Sequence, residues 1–250
     1  MVIYDVSRRE MGVAVNNETQ IQISNLTLSV AGKTLIVPGC SASLVENFAL
    51  DWIIHSLKLN RVAIASSPFV APMVQSNVFG PHITSAFEVY SAESAPVAVV
   101  QIRSLVSNKR LFARNLIDLA NSLQVENVLV LGSASGFLLS GAELENPSRL
   151  RVTGLDASNL TPLEEDLELH ECGMLREFLD LSKKSETMSI ATILALTSGF
   201  GYTETQLLSE ELARVVLTSL EIELKELIVP QSVKALAAHP KVGIEVGRIL

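Results

Sequence analysis

Hydrophobic positions in this chain fall into short blocks, and the spacing within them switches between that of a strand and that of a helix. Thr34–Pro38 is a compact apolar block, the pattern of a strand buried on both faces. Val45, Ala49, Trp52, Ile53 and Leu57 follow at helical spacing and predict the buried face of a helix ending near Leu57. In front of it, Ser43-Leu44-Val45-Glu46 has the form of a capping box, in which the Ser43 hydroxyl accepts from a free backbone N–H and Glu46 reaches back. Val62–Ala65 is the next apolar block. Strand, helix, strand implies a parallel pair joined by a right-handed crossover.

The alternation continues on both sides. Ile21 and Ile23, then Leu26, Leu28 and Val30, predict strands with a change of register between them. Phe87–Tyr90 and Val97–Ile102 read as further strands. Leu111, Phe112, Leu116, Leu119 and Leu123 stripe a helix over about 109–123, and Val128–Leu131 follows as a buried strand. Arg149–Leu155 fits another strand, and Thr161-Pro162-Leu163-Glu164-Glu165 a helix start with proline at its first position. Ile190–Leu196 fits either a buried strand or a helix core. Glu204–Leu227 has helical composition, closed by Pro230. The expected fold is α/β, a three-layer α/β/α sandwich with a mostly parallel sheet. No repeat or long linker divides residues 1–250, so a single domain is expected, with 1–20 as a loose N-terminal segment.

Composition supports a large core. Of 250 residues, 48% are hydrophobic and 18% charged, which excludes a disordered chain. The mean hydropathy of +0.36 raises the question of a membrane. The longest apolar run, Ile190–Leu196, is interrupted by Thr192, far short of the roughly 18 residues a spanning helix needs. No membrane association is therefore expected. Residues 1–20 show no apolar signal-peptide core. Two cysteines far apart, Cys40 and Cys172, make neither a disulfide framework nor a zinc pattern, which fits a reducing cytosolic or nuclear compartment. Asn25-Leu26-Thr27 matches a glycosylation sequon, a chance match in such a compartment. The net charge of −8 is concentrated in residues 141–187, which hold 5 basic and 11 acidic side chains. Such a bias repels phosphate backbones and argues against nucleic acid.

Candidate chemistry is sparse. Cys40 lies between a strand and a helix, where the helix N-terminal field activates a thiol, but it needs a base. His55 is about 18 Å along the helix from Ser43 and cannot reach back. Nothing in the sequence positions His82, His170 or His239. Asp51 and His55 are four apart and read as a solvent-facing ion pair. Gly132-Ser133-Ala134-Ser135-Gly136 has alanine where a nucleophile elbow needs serine, so it reads as a Gly/Ser turn ending a strand. Ser198-Gly199-Phe200-Gly201 lacks the lysine of a phosphate loop. No metal cluster, cofactor motif or catalytic residue emerges. A different kind of site is offered by Val70, Pro72, Met73, Val74 and Phe79, on an apolar loop stiffened by two prolines. Such a loop is either a core plug or a partner contact.

Leu35–Pro38, Ser41–Leu57 with Asp51 inside it, Val62–Ala65 and Val70-Ala71-Pro72-Met73-Val74 come in a recognisable order. Glu88-Val89-Tyr90-Ser91, Gln101-Ile102-Arg103-Ser104, the helix after Lys109 and Val128–Leu131 continue it. From about Leu26 to Glu145 this succession resembles the proteasome assembly chaperone 2 family. The resemblance implies a non-enzyme with a fold similar to nucleoside phosphorylases. It also implies a heterodimer with proteasome assembly chaperone 1 that binds α-type subunits of the 20S proteasome, with no cofactor. Some proteins of this group dock through a C-terminal hydrophobic–Tyr–any motif. Here Ile249 stands where that tyrosine would be, before Leu250, so an apolar insertion without the tyrosine contact is expected of Ile249 and Leu250. A nucleoside phosphorylase-like or hydrolase-like enzyme on the same fold is the alternative, and it requires a deep polar pocket near Cys40 and Ser133–Ser135.

Overall fold

The computed structural model describes residues 21–75, 83–135, 149–155, 160–163, 172–185, 188–197, 201–224 and 226–238. In chain order the strands are β1 (Gln22–Ser24), β2 (Thr34–Pro38), β3 (Asn60–Ser66), β4 (Val74–Gln75), β5 (Thr84–Ser85), β6 (Phe87–Ser91), β7 (Val97–Ile102), β8 (Asn127–Ser135), β9 (Leu150–Thr153), β10 (Thr161–Pro162) and β11 (Ser189–Thr197). The helices are α1 (Val45–Ser56), α2 (Lys109–Ser122), α3 (Leu175–Ser182), α4 (Tyr202–Ser219) and α5 (Gln231–Ala238).

Nine strands form one sheet in the order β1-β3-β6-β7-β2-β8-β11-β9-β10, and β4 pairs with β5 in a separate ribbon. The centre, β7-β2-β8-β11, is parallel. Its strands are almost wholly apolar, as burial on both faces demands. Toward β1 the pairings become antiparallel. Two cores lie on the two faces of the sheet. One collects Phe112, Leu116 and Leu119 of α2 with Leu175 and Phe178 of α3. The other collects α1 with Leu208, Leu212 and Val216 of α4 and Val233 of α5. The α/β/α sandwich expected from the sequence is present.

Several local expectations are corrected. β2 and β3 do not pair: β7 and β6 lie between them. The crossover through α1 therefore spans the width of a hairpin that comes later in the chain. Only Gln22–Ser24 of the first apolar stretch is strand, because Asn25 turns into the left-handed region (φ 55°). β8 continues through Ser135, so Gly132 and Ser133 are strand residues and not a turn. Thr161–Pro162 pairs with β9 and is not a helix start. Ile190–Leu196 is strand. The helix from residue 202 stops at Ser219, and no described residue between it and Gln231 is helical. No helix among the described residues is long and apolar enough to cross a membrane.

α1 departs from an ordinary amphipathic helix. Leu50 and Ile54 are buried as well as the predicted stripe, because α4 covers its outer side. A helix with apolar residues buried on more than one side is one packed between layers, and in α1 only His55 stays exposed.

Candidate functional site

The C-terminal ends of β2, β3, β7 and β8 meet at one end of the sheet, where α/β proteins place their ligand sites. Four loops converge there: 39–44, 67–75, 103–108 and the segment before α3.

The loop after β2 is closed by hydrogen bonds. Gly39 N–H donates to the Leu131 carbonyl (2.6 Å), and Met174 N–H donates to the Gly39 carbonyl (2.5 Å). Gly173 (φ +64°) lies so close that a Cβ there would collide with the Gly39 and Cys40 carbonyls. Cys40 and Leu44 both take left-handed backbone (φ 53° and 59°), a conformation that costs a side-chain-bearing residue about 1–2 kcal/mol.

Beneath this loop Glu46 is wholly buried. Ser41 N–H donates to its Oε1 (2.5 Å), and the hydroxyls of Ser41 and Ser133 donate to Oε2 (2.8 and 2.7 Å). The Ser43 hydroxyl lies 2.5 Å from that of Ser133 and donates to it. The expected capping box is thus displaced. Glu46 reaches back to Ser41 and not to Ser43, and Leu44 occupies the cap position. Burial pushes the Glu46 carboxyl up; the hydrogen bonds from Ser133 and Ser41 pull against it. No ion pair to Glu46 is formed among the described residues.

This arrangement offers little chemistry. Burial, reinforced by Glu46, drives the Cys40 thiol well above its ordinary range, so it is held as a thiol. Ser133 is fully buried and spends its hydroxyl on Glu46. His55 is exposed near the far end of α1. His82, His170 and His239 lie outside the described residues. Among the described residues no group of three or more His, Cys, Asp or Glu could hold a metal.

Asp51 does not form the expected solvent-facing pair with His55. It is buried and accepts a fork from Arg103: Nη2 to Oδ1 at 2.6 Å and Nη1 to Oδ2 at 3.2 Å. Gln101 Nε2 donates to Oδ1 as well (2.9 Å). Burial opposes ionisation, but the Arg103 charge and these hydrogen bonds outweigh it and hold the Asp51 carboxyl below its ordinary value. Next to it Arg61 pairs with buried Glu88 (2.7 Å), which also accepts from Tyr90.

The apolar loop divides in two. Val70 is buried and bridges to Val106, and Met73 packs against the core. Pro72 is exposed, and Val74 is 75% exposed. Two residues the sequence reading missed join it: Ile83, beside β5, and Leu105, after β7, each 61% exposed. Backbone bonds tie the two segments together, from Ala71 N–H to Leu105 O (3.0 Å) and from Ser107 N–H to Phe69 O (2.8 Å). Of eight large hydrophobics exposed among the described residues, Leu44, Val74, Ile83 and Leu105 all belong to the connecting segments at this end, Val74 in the short β4–β5 ribbon. The result is a ledge, apolar outside and bonded inside. Phe79, Ile249 and Leu250 lie outside the described residues.

A sequence profile described as the PAC2 family matches residues 35–231, most of the chain. The chain belongs to the PAC2 family. Proteasome assembly chaperone 2 of Xenopus tropicalis is 26% identical over 166 residues, covering 63% of this chain and 64% of that protein. The human protein of the same name is 26% identical over 133 residues, half of each chain. The chain thus spans less than two thirds of the length of these curated relatives. Among solved structures, Pyrococcus furiosus PbaA, described as an archaeal homolog of proteasome-assembly chaperone, superposes with a TM-score of 0.63. It is 12% identical, over 92% of this chain and 96% of that one. A protein of unknown function from Thermoplasma acidophilum gives 0.64 at 14% identity, over 90% of each chain. At these identities the superpositions bear on the fold, and they bear out the sandwich across nearly its whole length.

Proposed function

We propose that this PAC2-family chain is a non-catalytic proteasome assembly chaperone. It pairs with proteasome assembly chaperone 1 and holds α-type subunits of the 20S proteasome in a ring-competent arrangement, in the cytoplasm and nucleus and without a cofactor. One observation carries the reading. The strand-end loop that would hold a ligand is filled by Glu46 and its three serines, while apolar side chains stand exposed on the ledge around it. Apolar surface at such an end is the chemistry of a protein contact. Relatives named proteasome assembly chaperone 2 support the same direction. The work is done by differential affinity for assembly states, with no covalent step.

Affinity purification of the tagged full chain, followed by mass spectrometry, tests this. Proteasome α-subunits and a sister chaperone should co-purify, and Leu105→Asp should deplete them at least about tenfold, since a charge buried in an interface without a partner is costly. Recovery of neither, from cells that contain both, would refute the reading.

A further inference from the structure

The ledge runs directly into a basic corner. Shortly after Leu105, α2 begins with Lys109 and Arg110, and Arg114 follows one turn on; all three are exposed. Exposed Arg176 of α3 joins them, because the ion pair of Arg110 with Glu177 (3.9 Å) brings the first turns of the two helices together. Burial and Glu46 raise the Cys40 thiol and Lys109 opposes them, so the Lys109 ammonium stands within electrostatic reach of the strand-end loop. Among the described residues, Lys109, Arg114 and Arg176 meet no carboxylate at ion-pair distance. α2 also has no acidic side chain in its first turn, where a helix favours one. A cluster of cations beside exposed leucine and valine thus stands out on a chain whose net charge is −8.

We propose that the ledge and this corner form one docking surface for an acidic segment of a partner protein, whose apolar side chains seat on Leu105 and Val74 and whose carboxylates meet Lys109, Arg110 and Arg114. The apolar half would accept many proteins; the charged half selects among them, since a basic segment meets like charges there. Lysine and arginine stems extend the apolar area beside Leu105 while their heads stay in water. A nucleic acid offers phosphates but no aliphatic side chains for Leu105 and Val74, so a protein segment is the better fit. The proposal goes beyond the function given above, because it fixes the chemistry of the docked segment and not the protein that carries it. Charge also sets the sign of the salt effect. If only the net charge of −8 acted, an acidic ligand would be repelled and salt would strengthen its binding; attraction to the corner is local, and salt weakens it.

Fluorescence anisotropy on the full-length chain tests this, with a labelled short peptide of leucines flanked by glutamates as the probe. Binding should weaken at least about tenfold between about 0.05 M and about 0.5 M salt, and a peptide with glutamine for every glutamate should bind at least about tenfold less tightly. Lys109→Glu combined with Arg114→Glu should cost the glutamate peptide at least about tenfold. Glutamate near a helix N-terminus is itself favourable, so that variant stays folded. Lys58→Glu combined with Arg214→Glu makes the same change in net charge beyond the far end of α1 and on the opposite face of the sheet, and should leave affinity within about twofold. Leu105→Ser should weaken binding at least about threefold without altering the salt dependence. Equal affinity for the glutamate and glutamine peptides, binding that strengthens with salt, equal losses in the two charge-reversed variants, or indifference to Leu105→Ser would each overturn the proposal. So would a single-stranded DNA oligonucleotide of the same charge that binds as tightly as the peptide. These outcomes do not depend on whether proteasome subunits co-purify with the chain, so the two readings fail separately.

Discussion

Removing the Glu46 carboxylate tests whether the strand-end loop is held shut from below. Glu46→Ala leaves Ser41 N–H and the hydroxyls of Ser41 and Ser133 without their acceptor in a buried site. Each unmet buried donor costs about 1–3 kcal/mol, and partial relaxation brings the total to about 3–5 kcal/mol. That is a large share of the roughly 5–15 kcal/mol by which domains are stable. Glu46→Gln keeps one acceptor oxygen and adds a donor that the serine oxygens can receive, so its cost should be about 1 kcal/mol. Urea unfolding of the three proteins gives the difference from the midpoints at constant slope. The dependence on pH gives a second, independent readout. The folded carboxyl keeps its proton to higher pH than an ordinary glutamic acid, whose value is about 4.3. Above that value the folded chain binds more protons than the unfolded one, so this group's contribution falls as pH rises. The stability of the wild type relative to Glu46→Gln should therefore be lowest at about pH 8 and grow toward about pH 5. If Glu46→Ala and Glu46→Gln are indistinguishable, or if the difference grows with rising pH, Glu46 does not hold the loop in the way described.

Gly173→Ala should cost at least about 3 kcal/mol in the same assay, from left-handed backbone and from collision with the Gly39 and Cys40 carbonyls. Gly32→Ala, at φ +71° but in open space, should cost only about 1 kcal/mol; equal effects would mean that the contact between the two loops is not tight. Phe112→Ala should lose about 3–5 kcal/mol, since Phe112 is fully buried and meets Phe87 edge to face at 5.9 Å. A loss below about 1 kcal/mol would place that core elsewhere.

What the sequence disclosed was local. Thr34–Pro38 and Val97–Ile102 were legible because mostly apolar runs of strand length have few other uses, and α2 because Leu111 to Leu123 keep helical spacing. Strand order was not legible, because the hairpin that separates β2 from β3 follows both in the chain. Asp51 looked solvent-facing because its near neighbour on the helix is His55, whereas its partner Arg103 lies 52 residues on. Glu46 showed the right kind of interaction with the wrong serine, since the left-handed turn at Leu44 moves Ser43 away from the cap. Half of the ledge was read from its prolines. Leu105, a single leucine flanked by Ser104 and Val106, gave no sign of exposure, which packing against the 69–71 segment decides.

The enclosure of α1 has a consequence for synthesis on the ribosome. Its inner face can settle on β2 soon after both emerge, but the helix that covers its outer face, α4, begins about 150 residues later. At translation rates of about 5–20 residues per second, Leu50, Ile54 and their neighbours wait about 8–30 s for their cover. β11, which completes the parallel centre beside β8, emerges just before α4 does. The nascent chain therefore carries α1 with one apolar side uncovered until Tyr202–Ser219 has left the exit tunnel.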